Sequence, residues 1–267
     1  MAELLTSTSN PKLKRLLALR EKSRMRREEG VFVVEGRREL ERCVAAGFEL
    51  ESLFVCPEIA DCCGAAPEGR ATRGSRNVFE LSKDLYAKAA CREGTEGVLA
   101  IVRSRELKLQ DLEVGKAPLI MVLEAVEKPG NLGAVLRSAD AAGADAVIVC
   151  DPLTDLWNPN LIRASVGAVF TVPVVCCSSE EAIAWLKDKD IRILTAQLQD
   201  SSLYYDRDMT GPTAIVMGTE ATGLTDAWRK AADAHIRIPM LGVGDSLNVS
   251  VSAAILLYEA VRQRQLR

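Results

Sequence analysis

Histidine is all but missing from this chain: His235 is the one example among 267 residues. Zinc is held by closely spaced His and Cys. The eight cysteines (Cys43, Cys56, Cys62, Cys63, Cys91, Cys150, Cys176 and Cys177) include no C-x-x-C pair. No metal centre is therefore expected. Aromatic residues are also scarce, at 4%, so the core must be built from Ala, Val, Leu and Ile. No apolar run reaches the length that crosses a bilayer, and the opening MAELLTSTSNPKLKRLL lacks the long apolar segment of a secretory signal. Two nucleotide fingerprints are missing as well. There is neither a G-x-G-x-x-G turn nor a GK[ST] phosphate loop, which argues against NAD-type and ATP-type enzymes. Several cysteines end apolar runs (LFVC, VIVC, PVVCC), where a free thiol behaves as a small hydrophobe. A reducing cytoplasm is the expected location. Cys62-Cys63 falls in a Gly/Pro/Ala-rich stretch as a potential exposed thiol pair with no assigned role.

What is present suits a globular protein with a real core: 48% apolar and 27% charged residues, in a length that fits one large or two modest domains. The net charge of −3 argues against a general nucleic-acid binder, but its distribution is uneven. Residues 1–38 carry ten Lys/Arg against five Asp/Glu, whereas residues 117–267 carry 13 against 18. A local basic patch steers a phosphate backbone even on an acidic chain. Lys12, Lys14, Arg15, Arg24, Arg26 and Arg27 are the candidates for RNA contact; a solvated helix face is the plainer alternative.

Ser9-Asn10-Pro11 starts a helix that runs to Gly30. Val31–Val34 reads as a buried strand. A helix over 37–46, strands over 53–56, 78–81 and 97–102, and a helix after Ser82 complete a small α/β block, residues 1–103. The polar stretch 104–117 reads as a linker. From Pro118 onward apolar strands alternate with helices. Strands are expected at 119–123, 146–150, 171–175, 191–195, 213–217 and 235–238, and helices at 132–142, 158–166, 180–188, 224–232 and 247–263. That alternation implies a parallel sheet covered on both faces, with ligands at the carboxyl ends of its strands. No internal repeat or low-complexity tract interrupts it.

Three stretches in 118–267 carry chemistry. In EKPGNLGAVLRSAD (127–140) a turn leads into a helix whose start can face an anion. Asn131 and Arg137 lie six residues apart there, with an Arg137–Asp140 pair as the structural alternative. In IVMGTEATGL (215–224) a strand runs into a Gly-x-Glu-x-x-Gly loop. In IPMLGVGDSLNVSVSAAILLYEAVR (238–262) a glycine-bearing loop gives way at Ser246-Leu247-Asn248 to an apolar helix. By itself this last stretch reads as a capped, buried helix.

Taken in order, the three closely resemble the three motifs of the SpoU (TrmH-type) RNA 2′-O-ribose methyltransferases of the SPOUT superfamily. RASVGAVFTVPV (163–174) also looks like this family, and SNPKLKRL…FVVEG resembles its L30e-like N-terminal RNA-binding domain. Where the family often has an acidic residue before the Pro of the first motif, this chain has Lys128. The resemblance implies an α/β fold with a deep C-terminal trefoil knot, over 118–267, joined to a small L30e-like α/β domain. It implies a homodimer that methylates the ribose 2′-hydroxyl of structured RNA from S-adenosylmethionine. Large-subunit rRNA is favoured because of the extra domain; a tRNA target, or a non-catalytic RNA-binding scaffold, is the alternative. Carried over residue by residue, the catalytic positions are Asn131, Arg137, Glu220, Ser246 and Asn248, and the cofactor positions Gly218, Ile238, Met240 and Leu247, with Thr195 a looser candidate. In the family the matching Arg is held to activate the hydroxyl. A free guanidinium is a poor base at neutral pH, so Arg137 is expected at least to orient the ribose or hold a phosphate. Neither a metal nor a membrane is implied.

Overall fold

A computed structural model describes residues 2–60, 77–91, 96–219, 222–244 and 246–265. Glu220, Asp245 and Cys62-Cys63 lie outside the described residues. The chain forms two compact units. The first comprises Met1–Arg105 and Asp155–Thr171, the second Glu106–Thr154 and Val172–Arg267. The first therefore takes in a stretch that the sequence reading assigned to the C-terminal domain.

Unit 1 is a mixed five-stranded sheet, order β1-β4-β3-β5-β2, with β1 Glu3–Leu5, β2 Val31–Glu35, β3 Leu50–Val55, β4 Asn77–Leu81 and β5 Val98–Arg103. β5 runs antiparallel to both β2 and β3. Asn10 caps helix α1 (Pro11–Glu21) by accepting from the Lys12 N–H at 2.9 Å. The expected single helix to Gly30 is broken at Lys22, whose backbone is extended, and resumes as α2, Ser23–Glu29. The break turns Arg26 inward. Its guanidinium is 3% exposed and donates to the carbonyls of Leu19 (2.7 Å) and Arg20 (3.0 Å), acceptors that the end of α1 leaves unpaired, and to Asp155 Oδ2 at 2.7 Å. Segment 155–171 closes this unit. Trp157 stacks on Phe32 (centroids 4.4 Å apart), Phe170 joins them with Phe48, and Arg42 donates to the Val166 carbonyl. Its helix is Pro159–Ala164, and Ala168–Phe170 form a 3-10 turn just before the strand expected at 171–175. The strand itself is Val174–Cys177, beginning only after Pro173, which has no N–H to give a sheet.

Unit 2 is a seven-stranded sheet in which every pairing is parallel. Its strands are β6 Leu119–Glu124, β7 Ala146–Cys150, β8 Val174–Cys177, β9 Arg192–Ala196, β10 Ser202–Leu203, β11 Thr213–Met217 and β12 Ala234–Arg237, in the order β10-β12-β9-β11-β6-β7-β8. The helices follow the expected alternation: α6 Pro129–Ala142, α8 Ser179–Asp188, α9 Asp226–Ala231 and α10 Val249–Gln265, while α3 Arg37–Ala45, α4 Pro57–Ala60, α5 Lys83–Ala89 and α7 Pro159–Ala164 belong to unit 1. Ile120 and Val122 face the core under α8 and α9, with Ala182, Leu186 and Trp228. Leu119, Met121 and Leu123 alternate with them and are buried too, on the side where α6 and α10 pack. A strand apolar on both faces is the signature of a doubly covered parallel sheet.

Chain direction reverses at the centre of this sheet. From β6 the path steps outward to β7 and β8; β11, arriving later, inserts between β6 and β9. Such a switch point opens a crevice at the carboxyl ends of the strands. Among the described residues no helix is long and apolar enough to cross a membrane.

Candidate active site

The loops leaving β6, β9, β11 and β12 all emerge on one rim of the unit 2 sheet, because in-register parallel strands end together: Leu123 lies beside Met217, and Val216 beside Thr195, itself beside His235. The exits are sharp. Ala125, immediately after β6, has φ 51 and bonds the Cys150 carbonyl through its N–H at 2.9 Å. A left-handed backbone at a non-glycine residue costs about 1–2 kcal/mol and needs surrounding structure to hold it.

Asn131 sits in the first turn of α6, half-buried. Asn248 precedes α10 and accepts from the Ser250 N–H (2.9 Å) and hydroxyl (2.6 Å), capping that helix. This leaves its amide nitrogen to donate to Asn131 Oδ1 at 3.2 Å, joining residues 117 apart in sequence. Ser246 and Leu247 lie exposed on the same approach. Arg137 is on α6 but elsewhere on its surface, since six residues at about 3.6 per turn leave it about 120° round from Asn131. It is exposed, and no hydrogen bond or ion pair ties it to a described residue, Asp140 included.

After β11 the chain tolerates only glycine at 218: an added Cβ would lie 2.3 Å from the Gly223 backbone. The loop closes on itself through Thr219 N–H to the Gly223 carbonyl (3.3 Å), the reverse bond (3.1 Å), and Thr222 N–H to Thr219 Oγ1 (3.0 Å). Ile238 and Met240 follow β12 and are half-buried. The loop then becomes strongly exposed, with Leu241 97% and Val243 103% accessible. Thr195 differs from the other candidates. It is fully buried, and its hydroxyl shares a 2.6 Å hydrogen bond with His235 Nδ1. Both side chains are thereby occupied inside the sheet, which leaves Thr195 its backbone for any ligand and His235 no free Nδ1 for proton transfer.

Glu124 was not singled out from the sequence, yet it is the buried carboxylate of this rim, 3% exposed. It accepts from Thr225 N–H (2.9 Å), Thr225 Oγ1 (2.7 Å) and Ser179 Oγ (3.1 Å). The signal was an acidic residue closing the apolar run LIMVL.

The basic candidates of unit 1 divide. Arg26 is corrected: it is buried and spent on α1 and Asp155, so it faces no RNA. Arg15 bridges Glu29 (2.7 Å) and Glu51 (2.6 Å), which hold its guanidinium above the usual range against the opposing effect of burial. Lys12 pairs with Glu3 and lies over the Phe79 ring, and Arg24 pairs with Glu28. Lys14 and Arg27 are exposed and carry no ion pair to a described residue.

Residues 118–258 match the model of the SpoU rRNA Methylase family, and residues 10–100 that of the MRM3-like substrate binding domain. The chain is 36% identical over 201 residues to the 23S rRNA (guanosine-2'-O-)-methyltransferase RlmB of Bordetella pertussis, covering 73% of this chain and 82% of that one. It is 30% identical over 266 residues to a 23S rRNA (uridine(2479)-2'-O)-methyltransferase of Streptomyces viridochromogenes, covering 97% and 92%. Among solved structures, the AdoMet-bound rRNA methyltransferase of Sinorhizobium meliloti superposes with a TM-score of 0.87 at 29% identity, over 98% of each chain.

Proposed function

Since the chain belongs to the SpoU rRNA methylase family, we propose that it methylates a ribose 2′-hydroxyl of 23S-type rRNA in the cytoplasm, taking the methyl group from S-adenosylmethionine. The observation that supports this most directly is the meeting of Asn131 and Asn248 on the rim where the β11 and β12 loops also emerge. The rRNA assignment draws on the names of the relatives and on the match to a substrate binding domain over 10–100. On this reading unit 1 is an L30e-like RNA-binding domain. The late insertion of β11 between β6 and β9 is part of a trefoil knot formed with the 238–248 loop.

The residues present suit the cofactor. Gly218 lets the loop after β11 fold tightly back on Gly223, and Ile238, Met240 and Leu247, in the stretch after β12, offer apolar surface. S-adenosylmethionine supplies an electrophilic methyl carbon when bound. The protein's part is mainly alignment, which is worth roughly 7–11 kcal/mol of barrier for well-placed reactants. Asn131, held by Asn248, orients the ribose with Ser246 and Glu220. Arg137 holds the adjoining phosphate and orients the 2′-oxygen, whose proton passes to bulk water as the methyl group is transferred.

Arg137 lies away from Asn131 on α6, and Leu241, Val243, Val251 and Tyr258 are exposed apolar groups of the same unit. Both features support a homodimer in which Arg137 of one copy completes the site of the other. Light scattering on the purified protein tests the dimer. The function is tested by mapping 2′-O-methyl groups on rRNA from cells with and without the protein, alongside calorimetry with S-adenosylmethionine. One lost methyl position and measurable binding are expected. An unchanged map without cofactor binding would leave an RNA-binding scaffold instead.

A further inference from the structure

We infer that Glu124 is a positioning residue of this site: its carboxylate fixes the loop that leads from β6 to Asn131 against the loop that runs from Gly218 to Thr225. The inference rests on the methyltransferase reading above, but the observations behind it are independent of any ligand.

Glu124 ends β6, at the switch point of the sheet. Both carboxylate oxygens are engaged from across the crevice. Oε2 accepts the Thr225 N–H, and Oε1 accepts the Thr225 hydroxyl. Thr225 stands at the start of α9, but its side chain makes no capping bond to that helix; it reaches back to Glu124 instead. The second support is Ser179 at the start of α8. Its hydroxyl lies 3.1 Å from Glu124 Oε1 and 2.6 Å from Asp151 Oδ2, and accepts from Trp228 Nε1 at 3.0 Å. The loop ends after β6, β8 and β11 thus meet at Glu124, and Asp151, after β7, joins them only through Ser179.

No cation pairs with this carboxylate among the described residues. A buried charge held by neutral donors alone is costly to desolvate, so its donors are held in fixed positions around it. The stretch that Glu124 leads directly into includes left-handed Ala125 and ends at Asn131. The stretch that Thr225 closes includes Gly218, whose backbone is packed against Gly223 at the limit of contact. Glu124 touches neither ribose nor cofactor; it acts through these two loops. Replacing it by Gln removes the charge and leaves one acceptor in place of two, so the Thr225 N–H and the two hydroxyls no longer share a carboxylate.

The test compares Glu124→Gln, Thr225→Val and a remote core variant, Leu99→Ala on β5 of unit 1, in the full-length protein. Calorimetry with S-adenosylhomocysteine should show about tenfold or more weaker binding for Glu124→Gln, the usual scale for hydrogen bonds to a charged group. Thr225→Val should shift it the same way by less. In the ligand-free protein both should speed amide hydrogen exchange at residues 125–131 and 222–227. KM for RNA should be unchanged. Leu99→Ala should lower the melting temperature yet leave affinity and those exchange rates intact. Wild-type affinity and exchange in Glu124→Gln, or equal losses in Leu99→Ala, would overturn the inference. If Glu124→Gln does not fold, Thr225→Val decides by the same two readouts. Failure of the wild type itself to bind S-adenosylhomocysteine would count against the methyltransferase reading, and the exchange data would still judge whether Glu124 orders the two loops.

Discussion

Arg26 and Arg137 are the same residue type on the helices of two different units, and they do opposite things. Arg26 is 3% exposed, satisfies two backbone carbonyls and pairs with Asp155. Arg137 is exposed and tied to no described residue. The contrast extends to the sheets. Unit 1 mixes parallel and antiparallel strands, so its strand ends are scattered over both edges, and Arg15, Arg20, Arg26 and Arg42 are spent on carboxylates or carbonyls that close the fold. Unit 2 is parallel throughout, gathers its loops on one rim, and leaves a cation nearby uncommitted. Chemistry concentrates where a sheet makes its loops converge, and positive charge by itself does not mark the place.

The contrast can be broken most sharply at Arg137. Arg137→Ala should lower the single-turnover rate by about a thousandfold or more, the scale of losing a principal transition-state contact. Calorimetry should find S-adenosylmethionine binding intact; near-normal turnover would remove Arg137 from the mechanism. Arg26→Ala should do the reverse. It strands half-buried Asp155 and the end of α1, at a cost of about 3 kcal/mol in urea denaturation, while the protein that remains folded keeps its turnover. A smaller effect distinguishes structural pairs within unit 2. Glu259 is 8% exposed and accepts from Arg262 (2.7 and 2.8 Å) and from Gln263, and the Arg262 hydrogen bond holds its carboxyl below the usual range despite burial. A depressed carboxyl stabilises the fold above the unfolded value of about 4.3 and loses that contribution as pH falls through its folded value. Glu259→Gln should therefore cost about 1 kcal/mol at pH 7, and the difference should vanish in acid unfolding. Smallest of all, Lys14→Ala with Arg27→Ala should leave stability unchanged and weaken RNA binding a few-fold, lowering the slope of log affinity against log salt by about 1–2. An unchanged slope would place the RNA elsewhere on unit 1.

Much of unit 2 was legible in the sequence. Apolar runs bounded by Gly, Pro or Asp gave strands 146–150 and 213–217 to the residue. β1 and β10 were missed because three and two residues carry no periodicity. Arg26 was misread because its orientation depends on the break at Lys22, a backbone event that an unbroken run of helix formers does not announce. Motif wording brought Asn131 and Asn248 to notice, and the hydrogen bond between them, across 117 residues, comes only from the packing of α10 against α6. Glu124 escaped because its partners, Thr225 and Ser179, are 101 and 55 residues away in sequence. The acid that closes LIMVL marks a strand end, but its burial is set by those distant partners.

The discontinuity of unit 1 bears on ancestry. Trp157 and Phe170 find their ring partners, Phe32 and Phe48, in a stretch of chain more than a hundred residues earlier. A lineage that shed residues 1–105 by recombination would inherit an orphaned apolar helical segment in mid-gene, and one that acquired them would need that segment rewritten to receive them. Fusion of such a module is thus a two-site event, and breakpoints between the two genes should be rare inside 155–171.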